Sequence, residues 1–155
     1  MNLARFLKEQ RVDLELDDAF DEEHPPTVET VAAHMAGLLA RSEQVVNPTK
    51  LRVDLLNAER REPTLPGHGL AIPHVRTLQA RRLVLAVAVS RSGLDMPTPD
   101  DEPVRLVIGM VGPTYDDKQY LQVYKRLSER LQDPQWVSAV LEAEHPGEIV
   151  RTLST

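Results

Sequence analysis

Two aliphatic runs decide how this chain is read: LVLAVAV, from Leu83 to Val89, and VRLVIGMV, from Val104 to Val111. Each has the length and β-branched content of a strand covered on both faces, because a nearly unbroken apolar run leaves no side to turn toward water. Both are expected to be central strands. Between them Ser92-Gly93 and the segment Pro97 to Pro103 mark turns, and Gly112-Pro113 closes the second strand. Downstream, Tyr120, Leu121, Val123, Tyr124, Leu127 and Leu131 recur at helical spacing. Asp133-Pro134 then opens a helix to about Glu142, and Pro146 to Leu153 suggests a last short one.

Upstream of the runs the period is also helical. Thr27 can cap a helix through about Ser42, with Val28, Val31, Ala32, Met35, Leu38 and Leu39 on its core face. Asn47-Pro48 supplies an N-cap and a first-turn proline for a second helix, whose buried stripe is Leu51, Leu55, Leu56 and Ala58 and whose end falls near Glu62-Pro63. At the start, Asn2 to Glu9 reads as a short helix, and Val12, Leu14 and Leu16, alternating with Asp13 and Glu15, read as a half-buried strand. The acidic segment Asp17 to Pro26 is expected to be a solvated loop. Helices on either side of strands give an α/β class: one domain over residues 1–155, with a small mixed β-sheet flanked by helices on both faces.

Composition narrows the function. With 18 Lys+Arg against 24 Asp+Glu, the formal charge is −6, which removes the overall basic footprint of a nucleic-acid binder. No cysteine is present, so disulfides, thiolate nucleophiles and Cys-based metal sites are excluded. No apolar run approaches the roughly 20 residues of a membrane span, and Met1 to Gln10 is too short an apolar stretch for a secretory signal. A cytoplasmic address without membrane insertion is the expectation. A P-loop, a dinucleotide fingerprint and a G-x-S-x-G elbow are all missing, and His68 and His74 lack the i, i+4 spacing of a helical zinc pair. Neither a cofactor nor a metal is expected.

The unusual stretch is TLPGHGLAIPH, residues 64–74, where two glycines and two prolines enclose a very short apolar piece. Gly67 and Gly69 permit positive φ, Ala71-Ile72 can form one short sheet step, and Pro73 fixes the backbone before His74. Backbone N–H groups in such a bend can converge on an anion. A neutral imidazole beside them can attack phosphorus through one ring nitrogen, provided that an acceptor holds the other N–H. From spacing alone, a turn with a structural histidine explains the stretch equally well. His24 and His145 read as surface residues, and His34 as a helix-borne histidine satisfied by a hydrogen bond.

The stretch Glu59 to His74 resembles the active-site signature of the enzyme IIA domains of the fructose, mannitol and nitrogen class of the phosphoenolpyruvate-dependent phosphotransferase system. The core pattern G-x-G-[IVL]-A-[IV]-P-H is matched by Gly67-His68-Gly69-Leu70-Ala71-Ile72-Pro73-His74, with Glu59 and Thr64 upstream. Gly-Leu-Asp at 93–95, Glu-Pro-Val at 102–104 and an amphipathic helix ending Arg-Leu-x-x-x-Leu at 126–131 extend the similarity over essentially the whole chain. The resemblance implies the enzyme IIA fold, a phosphoryl group accepted on His74 from a histidine phosphocarrier protein of the HPr kind, and delivery to a membrane transporter domain or, in the nitrogen branch, signalling to a regulatory target protein.

Two departures qualify that implication. Where the family usually carries a second histidine ahead of the penultimate long helix, this chain has Tyr120, and where it commonly carries an arginine before the glutamate, it has Ala58. A phenol donates a hydrogen bond but brings no positive charge at neutral pH. Arg60, Arg61 and His68 are the candidate replacements, so the expected phosphate-binding set is Thr64, Gly67, His68, Gly69, Arg60 and Arg61, with His74 and Tyr120 catalytic. The alternative is a weakly phosphorylated or unphosphorylated regulatory binding module on the same fold. Aliphatic helix faces leave an oligomer open, and a chain carrying no further domain leans toward the nitrogen-type branch.

Overall fold

A computed structural model describes residues 1–155. In chain order the elements are β1 (Val12–Asp13), α1 (Val28–Leu39), α2 (Pro48–Arg61), β2 (Leu70–Ala71), β3 (His74–Arg76), β4 (Val84–Leu94), β5 (Val104–Gly112), α3 (Asp117–Leu131), α4 (Pro134–Leu141) and α5 (Pro146–Leu153), with three 3₁₀ turns near the start. β4 and β5, grown from the two aliphatic runs, form the antiparallel centre of a five-stranded sheet, with Val87 opposite Ile108. β1 adds in parallel on the outer side of β4, and β2 and β3 follow one another in parallel along the outer side of β5. The sheet is therefore mixed.

Period-2 alternation divides the core into two layers. Leu85, Val87 and Val89 of β4, with Leu106, Ile108 and Met110 of β5, pack under α3, α4 and α5. Val84, Ala86, Ala88, Val107 and Val111 pack under α1 and α2. Small residues on the second face let α1 settle close: a Cβ at Gly109 would stand 3.2 Å from Leu39 and 3.4 Å from Met35. Helices thus cover both faces, which is why neither central strand alternates with polar residues.

The caps are side-chain hydrogen bonds. Thr27 and Thr30 exchange them at the start of α1, and Asn47, Asp116 and Asp133 accept from the first-turn N–H groups of α2, α3 and α4. Several sequence expectations are corrected. The helix expected over 2–9 is two 3₁₀ turns, Leu3–Phe6 and Glu9–Arg11, and the strand expected over 12–16 keeps only Val12 and Asp13. The supposed loop beginning at Asp17 opens inside a 3₁₀ turn, Leu16–Ala19, because the Asp17 carboxylate accepts from Ser90 Oγ and from the N–H and Oγ of Ser92. Those bonds also hold β4 through the Ser92-Gly93 turn, which becomes an irregularity in the ladder rather than the strand's end. On α2 the buried stripe is Leu51, Leu55 and Glu59; Leu56 and Ala58 are only half-buried.

Candidate functional site

The outer edge of β5 shapes the site. β2 pairs Leu70 with Leu106 and Ala71 with Val107, then the ladder breaks and resumes with His74 opposite Met110. Pro73 has no N–H to give the ladder, so the backbone steps there. The step turns the Ile72 carbonyl to the His74 ring, where it accepts from Nδ1 at 2.7 Å. Thr64 Oγ1 stands 3.5 Å from the same nitrogen, too far for a strong bond. With Nδ1 carrying the proton, the ring's lone pair is on Nε2, which has no partner in the chain and is not sealed from solvent. His74 is half-buried.

Glu59 lies beneath the loop. Only 4% of the residue is exposed. Its carboxylate accepts the Thr64 N–H at 3.1 Å, and the backbone N–H of His74 also faces it. It therefore ties the end of α2 to both ends of the 64–74 segment. Burial pushes its pKa up to about 7, against the opposing pull of those two N–H groups.

An open cavity of about 850 Å³ extends from His74, bordered by Glu59, Arg61, Thr64, Arg76 and Tyr124 among others. Arg76 is the cation nearest to the chemistry in sequence. It sits two residues beyond His74 on β3, pairs with Asp117 at the start of α3, and carries its guanidinium 5.6 Å from the Tyr120 ring centre. Tyr124, one turn after Tyr120 on α3, brings its ring centre to 4.8 Å from that of His74, closer than Tyr120 at 6.4 Å.

The expected residues divide. His74, Thr64 and Arg61 share the cavity. Tyr120 is beside the imidazole but buried, and its hydroxyl is sealed with no hydrogen-bond partner; burial raises its pKa further from neutrality. Arg60 turns away to pair with Glu29 at 3.2 Å. Gly67, His68 and Gly69 form a run of positive φ (89°, 57° and 78°), but its anion is internal: the His68 N–H donates to Asp100 Oδ2 at 2.8 Å. His68 lines a separate, more apolar cavity with Leu70, Ile72 and Leu131, and Pro66 and Tyr124 border both. His34, outside the site, bonds Asp13 at 2.7 Å.

Sequence reasoning missed Arg76 and Tyr124. Both had a signal: two residues along a strand, or four along a helix, lead back to the same face. It gave no weight to the burial of Glu59, since nothing local says that the carboxylate at the end of α2 will be roofed by a loop.

The family model described as "Phosphoenolpyruvate-dependent sugar phosphotransferase system, EIIA 2" matches residues 14–155. A fructose-specific EIIA component of the phosphotransferase system in Haloferax volcanii is 29% identical over 123 residues, covering 79% of this chain and 80% of that protein. The nitrogen regulatory protein IIA-Ntr from Neisseria meningitidis superposes with a TM-score of 0.81 at 19% identity, over 97% of each chain. Enzyme IIA mannitol from Escherichia coli, solved in complex with phosphorylated enzyme IIB mannitol, superposes with a TM-score of 0.72 at 19% identity, over 95% of this chain and 96% of that one. No helix here is long and apolar enough to cross a membrane.

Proposed function

This chain belongs to the EIIA 2 family of the phosphoenolpyruvate-dependent sugar phosphotransferase system, and on that premise we propose that it is a histidine phosphocarrier whose acceptor atom is His74 Nε2. The single observation that carries the assignment to this atom is the Nδ1 contact with the Ile72 carbonyl, which leaves Nε2 as the open nucleophile.

The step conserves protons within the chain. The Nε2 lone pair forms a bond to phosphorus as the P–N bond of a donor phosphohistidine breaks; the His74 proton stays on Nδ1, and the bond to Ile72 O stabilises the charge that the ring takes on. The reaction asks little more of the protein than alignment and charge neutralisation. Arg76 and Arg61, on the cavity wall, supply positive charge for the phosphoryl oxygens, in place of the arginine and histidine that Ala58 and Tyr120 replace. Thr64 orients the ring from the other side, and Gly67, His68 and Gly69 act as scaffold, their turn filled by Asp100. Tyr120 serves as a positioning residue that packs beneath Arg76.

The donor is a histidine phosphocarrier protein of the HPr kind. The acceptor is a transporter-associated domain of the IIB kind, the partner seen with the mannitol relative, or a regulatory target. The whole of 1–155 works as one domain. The sealed Tyr120 hydroxyl favours a second reading, in which transfer is slow and the chain signals by binding.

The test is incubation of the chain with phosphoenolpyruvate, enzyme I and a phosphocarrier, followed by mass spectrometry and phosphorus NMR. An acid-labile, base-stable adduct that disappears in His74→Ala is expected. An unlabelled native chain would refute the carrier reading and leave the binding module.

A further inference from the structure

A third cavity, of about 560 Å³, opens where β4 begins, between the N-terminal 3₁₀ turns, the segment after α1 and the β5–α3 connection. Six cationic side chains line it: Arg5, Lys8, Arg11, Arg41, Arg81 and Arg82. That is a third of the Lys and Arg in a chain whose formal charge is −6. Two carboxylates, Glu43 and Asp116, share the lining, and Asp116 is already committed to the Gln119 N–H as the cap of α3. Every ion pair in the chain is made by other residues, so all six cations stand without a carboxylate partner.

Arg11 points most directly to a ligand. The residue is 5% exposed; Nε donates to the Leu85 carbonyl at 3.1 Å and Nη2 to the Phe6 carbonyl at 3.2 Å. Its remaining nitrogen, Nη1, has no partner in the chain and is not sealed. Carbonyl dipoles satisfy two donors but do not cancel the charge, and a buried charge is ordinarily paired. Gathering five more cations around it concentrates a positive field in a concave, partly desolvated lining.

The chemistry of the lining selects the class of anion. Only four of its 17 residues are hydrophobic, which disfavours an apolar ligand. Five of the six cations are arginines, whose planar forks match phosphate oxygens two at a time. At the rim Tyr115 is 77% exposed, and its hydroxyl, donated to the Arg81 carbonyl at 2.6 Å, fixes a free aromatic face. We propose that this cavity binds a small oligophosphate, with Tyr115 available to stack the base where the phosphates belong to a nucleotide. The proposal stands apart from the His74 reading, since the two cavities share no lining residue.

Isothermal titration of the full chain with tripolyphosphate and with ATP, both free of magnesium, tests it. Saturable binding is expected, about tenfold weaker in Arg41→Gln and about a hundredfold weaker in the double variant Arg81→Gln, Arg82→Gln, as losing one or two charge-assisted hydrogen bonds implies. These three arginines are exposed, so the variants keep the fold, which thermal unfolding verifies. His74→Ala should bind like the native chain. Tighter ATP binding that Tyr115→Ala reduces to the tripolyphosphate level identifies a nucleotide; equal affinity for the two probes identifies the phosphate chain alone. Absence of saturable binding by either probe up to about 5 mM, affinity indifferent to the double variant, or binding lost in His74→Ala would each overturn the proposal.

Discussion

Glu59 and Arg11 are the two charged residues that the fold buries, 4% and 5% exposed, one beside each cavity, and neither has a counter-ion in the chain. Their ways out differ. A carboxylate can shed its charge by taking a proton, and Glu59 does so with a pKa of about 7. A guanidinium keeps its charge even where burial lowers its pKa, as it does at Arg11. The walls differ in degree: beside His74, Arg76 shares its charge with Asp117 and Arg61 alone lacks a carboxylate partner, whereas all six cations of the cavity beside β4 lack one. A cavity with balanced charge suits a group that must arrive and leave; one with standing positive charge suits an anion that stays.

The largest expected effect concerns Glu59. Its folded pKa is raised above the ordinary value of 4.5, so the protonated form is favoured in the fold. Its contribution is fully present below about pH 4.5, falls as pH rises toward 7 and levels off beyond, a loss on the order of 3 kcal/mol. Urea unfolding of the native chain and Glu59→Gln across this window should show the native chain losing ground by that amount; parallel curves would mean that Glu59 finds a partner and the contrast with Arg11 is empty.

Next comes Arg76→Gln, which should slow phosphoryl transfer to His74 about a hundredfold, the lower end of the range for one lost preorganised donor. Because the pair with Asp117 is exposed, unfolding stability should move by less than about 1 kcal/mol. An unchanged transfer rate, read in single turnover, would remove charge from the account of the His74 cavity.

Salt separates the cavities more gently. Raising ionic strength from about 0.05 to 0.5 M should weaken tripolyphosphate binding about tenfold and change the transfer rate by less than about twofold, since screening acts mainly on unpaired charge. Equal sensitivity would erase the distinction. The smallest effect is Tyr120→Phe: deleting a sealed, unsatisfied hydroxyl should stabilise the chain by about 1 kcal/mol, seen as a rise in Tm, with transfer retained.

What could be read in the sequence follows the range of the forces involved. β4 and β5 were plain because a strand covered on both faces writes its burial into consecutive residues. The caps at Thr27, Asn47 and Asp133 were plain because capping is decided within three residues. The 3₁₀ turns near the start were hidden, since Arg11 takes its partner from Leu85 on the neighbouring strand, 74 positions away in sequence. So was the continuation of β4 through Gly93, which depends on a carboxylate more than 70 positions earlier. At the site, the 64–74 segment singled out His74 as a candidate and left its tautomer conditional on an acceptor, a place taken by the Ile72 carbonyl. It did not announce that Asp100, from the connection between β4 and β5, would fill the glycine turn that looked free for phosphate.

The imidazole at 74 is gripped by a carbonyl only two positions behind it. That short tether makes the ring a fixed anvil rather than a swinging arm. A group presented to Nε2 has to reach the ring where it stands.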